Sequence, residues 1–417
     1  MGRGAAVLSV GITTTGLVTY TYFALASHNL SADDYGQITL LWSAVFITVS
    51  VLYRPVEQLL SRTIADHDAR SVPGSSHLRI AATIQLALGV LFAVLALVFQ
   101  DRLQNDLFDG NETLYWILVA TVLAYAVSYF ARGFLAGHHR FGLYGGLVLM
   151  EATSRCLFAV AVALGVASGQ DVVALGMVAA PVVSLCVVPF AFSRQSTVDS
   201  RQAADPDEPG EFTLAHGSGF AAAVLLIMAA EQTFLNAGPL LVNATEGAEG
   251  AALAGFTFNV LLIARAPLQL FQAVQTSILP HLTRLGARGE TDEFKRGVNV
   301  TLVAIAGFAA VVALVMAAIG PWAMDLVFGD EFDYDRLGLV LVSLGMGMYL
   351  AAATLNQALL ARGEARAACV AWVAAASAFV VFLLAVNFDD PVLGVEVGYI
   401  GAAALLSGLL YALYRRG

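Results

Sequence analysis

The stretch LWSAVFITVSVLYRPVEQLLSR, residues 41–62, is almost wholly apolar for its first dozen residues and then admits Arg54 and Glu57. It belongs to an apolar run over 37–60, and a helix crossing a bilayer takes roughly 20 residues. Barrel strands would be about half that length and would alternate polar with apolar. The run is therefore read as a membrane-spanning helix. An ionisable side chain in hydrocarbon costs a few kcal/mol or more, so each one needs a partner, a wet cavity or a function.

Working outward, eleven further apolar runs lie near 5–27, 78–99, 113–135, 141–168, 172–192, 215–242, 251–279, 297–319, 336–361, 365–386 and 391–414. The chain is 59% hydrophobic and 12% charged, against roughly 25% charged for soluble domains. This predicts an all-α integral membrane protein with 12 transmembrane helices. Ala24-Leu25-Ala26 has the small-x-small form of a signal-peptidase site, but the run before it exceeds a typical h-region of about 7 to 15 residues. It is read as helix 1. Arginines concentrate on one side, among them Arg62, Arg70, Arg79, Arg132 and Arg140, while the other side holds Arg102 and Arg336. The positive-inside rule then predicts that both termini are cytoplasmic. The acidic excess behind the net charge of -10 falls mostly outside, so it calls for no basic partner and no nucleic acid.

The long polar stretch 193–214, with Asp205-Pro206-Asp207-Glu208-Pro209-Gly210-Glu211, cannot bury apolar surface and reads as a cytoplasmic linker. It separates an N-lobe over 1–192 from a C-lobe over 215–417. Weak echoes link the halves: Gly36 and Gly255 open helices 2 and 8, and Gly137 to Arg140 matches Gly363 to Arg366. Six spans per half make a parallel pseudo-symmetric repeat. Substrate is expected between the lobes.

Six charges stand within apolar runs: Arg54, Glu57, Glu151, Arg155, Glu231 and Arg265. On a straight helix, Ser43, Ser50, Arg54, Gln58 and Ser61 fall within about 40° of one line. Arg265, Gln269, Gln272 and Thr276 repeat the device on helix 8, spanning about 60°. Helix 1 adds Thr13 and helix 7 adds Asn236. Ser, Thr and Gln can act purely as interhelical glue worth roughly 1 kcal/mol each. A guanidinium with five donors asks for more than a few hydroxyls supply, so these faces are read as lining a wet substrate cavity. Glu151 and Arg155, four apart with the acid first, are expected to form a structural pair. Glu57 and Glu231 are the candidates for ion coupling. Guanidiniums match phosphate oxygens, while amides and hydroxyls match sugars, so a phosphate-linked glycan has both features.

Cys156, Cys186 and Cys369 sit singly and read as packing residues, with no metal-ligand spacing. The seven histidines lie in loops or at helix ends, and neither a nucleophile elbow nor a phosphate-binding Gly-Lys-Ser loop occurs. No enzyme activity, metal or cofactor is expected.

Several segments resemble bacterial polysaccharide-biosynthesis flippases of the multidrug, oligosaccharidyl-lipid and polysaccharide exporter superfamily. They are Ser31 to Gly36, Arg132 to Phe141, Pro267 to Pro280 with Leu282-Thr283, Phe328-Gly329 and Gln357 to Gly363. The resemblance covers nearly the whole chain. It implies two six-helix lobes in a V, with helices 1, 2, 7 and 8 lining the cavity. It also implies alternating access, a lipid-linked sugar diphosphate as cargo, and a multi-pass place in a bacterial inner membrane beside glycosyltransferases and a polymerase of the same pathway. Twelve spans set it apart from the fourteen-span peptidoglycan-precursor flippases. A cation-coupled multidrug exporter of the same superfamily is the alternative. A membrane glycan polymerase or ligase ranks below both, because every external loop is short.

Overall fold

The structure, a computed structural model, describes residues 2–70, 76–187, 189, 214–263, 291–386 and 388–416. The described helices are α1 (Gly2–Asn29), α2 (Ala32–Leu52), α3 (Arg54–Arg70), α4 (Ser76–Val98), α5 (Gln100–Phe108), α6 (Glu112–Gly137), α7 (Phe141–Ala163), α8 (Gln170–Ser184) and α9 (Leu214–Thr245). They continue with α10 (Gly250–Ile263), α11 (Thr291–Phe328), α12 (Arg336–Ala361), α13 (Ala365–Ala385) and α14 (Pro391–Arg416).

Among the described residues nine helical segments are long and apolar enough to cross a membrane. The protein is a multi-pass membrane protein. The runs expected over 172–192 and 251–279 are represented by the shorter α8, followed by a 3-10 turn at Leu185–Val187, and by α10, while residues 190–192 and 264–279 lie outside the described residues. Helix α1 is not among the nine counted over the described residues. The linker 193–214 lies almost wholly outside the described residues. Large apolar side chains such as Leu86, Val90, Val303 and Leu314 stand exposed on spanning helices, the arrangement of a surface whose solvent is lipid.

The span expected over 37–60 falls within one candidate span, Ala32–Ile64, which carries a one-residue turn at Tyr53. Helix α2 ends at Leu52, Tyr53 makes a turn, and α3 begins at Arg54. Pro55 has no N–H to give to Val51, so the ladder loses a bond there, while Tyr53 N to Val49 O (2.9 Å) and Glu57 N to Tyr53 O (3.0 Å) carry the chain through. The face drawn from Ser43 to Ser61 therefore runs across that turn. Ser43 and Ser50 lie on α2, while Arg54, Glu57, Gln58 and Ser61 lie on α3.

Packing divides the chain into two compact units. Unit 1 is Met1–Tyr22 with Ala44–Ala221, and its apolar core joins Val56, Leu60 and Ile64 of α3 to Phe134 and Leu135 of α6 and Leu147 of α7. Unit 2 is Phe23–Ser43 with Ala222–Gly417. Its rings gather on Phe234, which stacks on Phe379 (5.8 Å) and meets Tyr349, Trp372 and Tyr399 edge-on. The sequence reading kept Phe23–Ser43 in the N-terminal half. Local contacts assign it otherwise: Phe23 packs on Phe258 (4.6 Å), Tyr35 donates to Asn259, and Ser27 donates to the carbonyl of Phe328. Gly36 permits this, since a Cβ there would overlap the Ala251 carbonyl. Of the cysteines, Cys156 and Cys369 are buried, whereas Cys186 is exposed.

Candidate functional site

Within unit 1 the buried polar groups converge. One face of α6 carries Tyr125, Ser128, Tyr129 and Arg132, spaced three, one and three, which places them on adjoining turns of one helix face. One face of α7 carries Tyr144, Glu151 and Arg155. Arg54 and Glu57 come from the first turn of α3, and Ser184 from the end of α8.

Close helix approach builds this arrangement. A Cβ on Gly133 would sit 2.9 Å from the carbonyl oxygen of Glu57, so α6 meets α3 beside that acid. A Cβ on Gly176 would likewise sit 2.9 Å from the carbonyl oxygen of Arg155, seating α8 on α7. Small residues at such crossings let backbones approach, which is how membrane helices gain packing contact.

Glu151 is the centre. Its Oε2 forms an ion pair with Arg132 Nη2, the side chains being 3% and 12% exposed. Ser128 Oγ donates to Oε1, and the Ser184 hydroxyl lies 3.3 Å from the same oxygen and 2.8 Å from the Pro181 carbonyl. A buried carboxylate is tolerable when paired and hydrogen-bonded in this way. Arg132 also lies over the Tyr129 ring at 4.5 Å, a cation–π contact. Arg155, the partner expected for Glu151, donates from Nη2 to Tyr125 Oη at 3.2 Å and lies 5.6 Å from the centre of the Phe46 ring. The ion pair recorded for Glu151 thus crosses to α6. The reason is geometric: a guanidinium on a facing helix can point straight at the acid, whereas one on the same helix must run alongside it.

Glu57 is half-buried and accepts a hydrogen bond from Tyr144 Oη at 2.9 Å. Arg132 and Arg54 both bear on its carboxylate electrostatically, as does Glu151. Three guanidiniums and two carboxylates therefore share the cluster, leaving one positive charge in excess when all are ionised. Such a site can attract an anionic group and can exchange hydrogen-bond partners around Glu57.

The other expected cavity residues differ in burial. Arg54 and Thr13 are half-buried, Gln58 is exposed, and Ser43 and Ser50 are buried, Ser43 Oγ with no hydrogen-bond partner. Asn236 is buried and donates to Gln232 Oε1 at 3.0 Å on its own helix, and Glu231 beside them is half-buried. Arg265, Gln269, Gln272 and Thr276 lie outside the described residues. Sequence reasoning missed Arg132, counted among the cytoplasmic cations, and Glu396, a 5% exposed carboxylate on α14. The signal for Arg132 was present in the periodic Tyr125, Ser128, Tyr129 and Arg132 face.

No known protein-family model matches the chain. It is similar to an uncharacterized protein of Mycobacterium bovis, 26% identical over 335 residues covering 78% of this chain and 73% of that one. One of Mycobacterium tuberculosis is 26% identical over 325 residues, covering 76% and 71%. Among solved structures, the inward-facing conformation of a multidrug resistance MATE family transporter of the MOP superfamily matches with a TM-score of 0.71. The identity is 12%, over 97% of this chain and 94% of that one. The eukaryotic MATE transporter AtDTX14 matches with a TM-score of 0.67 at 13% identity, over 99% and 95%. The Vibrio cholerae MATE transporter VcmN in the bent form matches with a TM-score of 0.60 at 15% identity, over 99% and 98%. Over its described residues the chain has the helical fold seen in these MATE transporters.

Proposed function

We propose that this chain is a secondary-type exporter working by alternating access, and that it flips a polyprenyl-diphosphate-linked saccharide to the outer leaflet for cell-surface polysaccharide synthesis. The observation that carries the exporter reading is the fold shared over 97% of the chain with a MATE family transporter. The cargo reading rests on chemistry. Arginine-rich polar groups suit diphosphate oxygens, and Gln, Ser and Thr suit sugar hydroxyls. In this reading Arg54 and Arg265 engage the anionic head, aided by the cationic excess around Arg132, and Glu57 carries the coupling ion.

A second reading, a cation-coupled multidrug exporter, is favoured by the description of that same neighbour as a multidrug resistance transporter. Reconstitution separates the two. The flippase reading expects leaflet exchange of a fluorescent lipid-linked saccharide that is lost in Arg54→Ala and Arg265→Ala, with both variants inserting normally. Normal exchange in both variants would overturn the assignment of the two arginines. Extrusion of cationic dyes without saccharide exchange would replace the cargo.

A further inference from the structure

Glu396 lies one turn and a half into α14 and is 5% exposed, yet none of the described basic groups pairs with it. Its carboxylate fills the place that a Cβ of Gly338 would take, in the first turn of α12. The absence of a side chain at Gly338 is what gives the acid its seat. Two further carboxylates bear on it electrostatically: Asp335, the N-cap of α12, and Asp390, in the turn before α14. Both are exposed and already engaged with backbone N–H groups, Asp335 with Gly338 and Asp390 with Val392 and Leu393.

Among the described residues the other elements packed here bring no compensating charge. Helix α13 offers Phe379 and Phe382 to Gly398. Helix α9 packs Gly238 on Val395, and the Glu246 that follows it lines a neighbouring pocket with Gly394 and Val395. Arg336, next to Asp335 in the chain, is exposed. The described residues hold no cluster of acids close enough to ligate a metal ion. That leaves a buried carboxylate beside two exposed ones, with a small seat and no cationic partner among the described residues, and the cation that fits such a place is a proton.

We propose that Glu396 is a proton-binding site, loaded from solvent past Asp335 and Asp390, whose protonation lets α12 and α14 stay packed at Gly338. Protonation converts the carboxylate to a neutral acid with the proton drawn from water. Ionisation returns a negative charge to a site that already faces two others, which loosens the α12 to α14 contact. The arginine distribution places this end of both helices outside. Proton binding stands on the local geometry alone, whereas its use in driving export rests on the exporter reading.

The test is labelling of the purified full chain with dicyclohexylcarbodiimide, which modifies protonated carboxyls in apolar surroundings, followed by peptide mass spectrometry. Adduct on Glu396 is expected to be at least about threefold greater near about pH 6 than near about pH 9, because the reagent adds only to the protonated acid. Glu396→Gln removes the adduct. Asp335→Asn and Asp390→Asn lower labelling at the higher pH, since removing a neighbouring negative charge eases ionisation. Gly338→Ala, which alters no titratable group, displaces the carboxylate and reduces the adduct in protein that still elutes as a single species. Absence of adduct at every pH, pH-independent adduct, or protection by sodium but not potassium would overturn the proposal. Each of these outcomes is read without cargo, so failure here leaves the exporter reading untouched, and loss of saccharide exchange leaves this site untouched.

Discussion

Arg132 and Glu151 show what a single buried charge demands. With the pair intact, each ion compensates the other and Ser128 and Ser184 lie against the carboxylate. Arg132→Ala leaves an uncompensated carboxylate and is expected to cost about 3 to 5 kcal/mol, seen as a lowered melting temperature in detergent. The double change Arg132→Met with Glu151→Leu should recover most of that loss, because apolar residues of similar volume often replace a buried ion pair at little cost. Glu57→Gln should differ in kind. Its carbonyl oxygen still accepts from Tyr144, so stability should change by less than about 1 kcal/mol, whereas transport is lost if Glu57 couples the ion. The six intramembrane charges were legible in the sequence, but their partners were not. Arg155 was the nearest cation to Glu151 along the chain, and Arg132 became its partner only when α6 came to face α7.

The helix is the scale at which periodicity succeeded and straightness failed. The length and apolar character of α4, α6, α7 and α11 to α14 were readable, because a lipid-facing helix declares itself in every turn. The turn at Tyr53, between Ser50 and Arg54, was not taken into account. Glycines decide how those pieces meet. Gly133→Ala would push a methyl group against the α3 backbone at Glu57, an overpacking cost of about 1 to 3 kcal/mol. It should also depress transport more than the milder melting shift alone accounts for. A parallel melting and transport assay checks this, and unchanged transport would show that α3 tolerates displacement at Glu57.

The whole molecule sorts its chain differently from its sequence order. Phe23–Ser43 precedes most of unit 1 in the chain, yet it packs in unit 2 against Phe258, Asn259 and Phe328. A fragment of residues 215–417 expressed alone therefore lacks part of its own core, and is expected to be degraded in the membrane. Co-expression with residues 1–192 should restore it, measured as steady-state level and protease resistance. Equal levels with and without the partner fragment would show that Phe23–Ser43 contributes little to unit 2. The polar stretch 193–214 was legible as a segment rich in Pro, Gly and acid. The assignment of Phe23–Ser43 was not, because it depends on Gly36 lacking a side chain opposite Ala251, two positions more than two hundred residues apart.

The sequence by itself determined that the chain is helical and spans a membrane many times, since hydrophobic run length is a local quantity that bilayer thickness reads directly. It also determined that a handful of intramembrane charges would need partners or work. Only the tertiary structure decided which charges met, that Arg132 paired with Glu151, and that Glu396 was buried at Gly338. Ion pairs and helix crossings are set by directions in space between residues far apart in the chain, and a few missing Cβ atoms decide which backbones come close enough to make them.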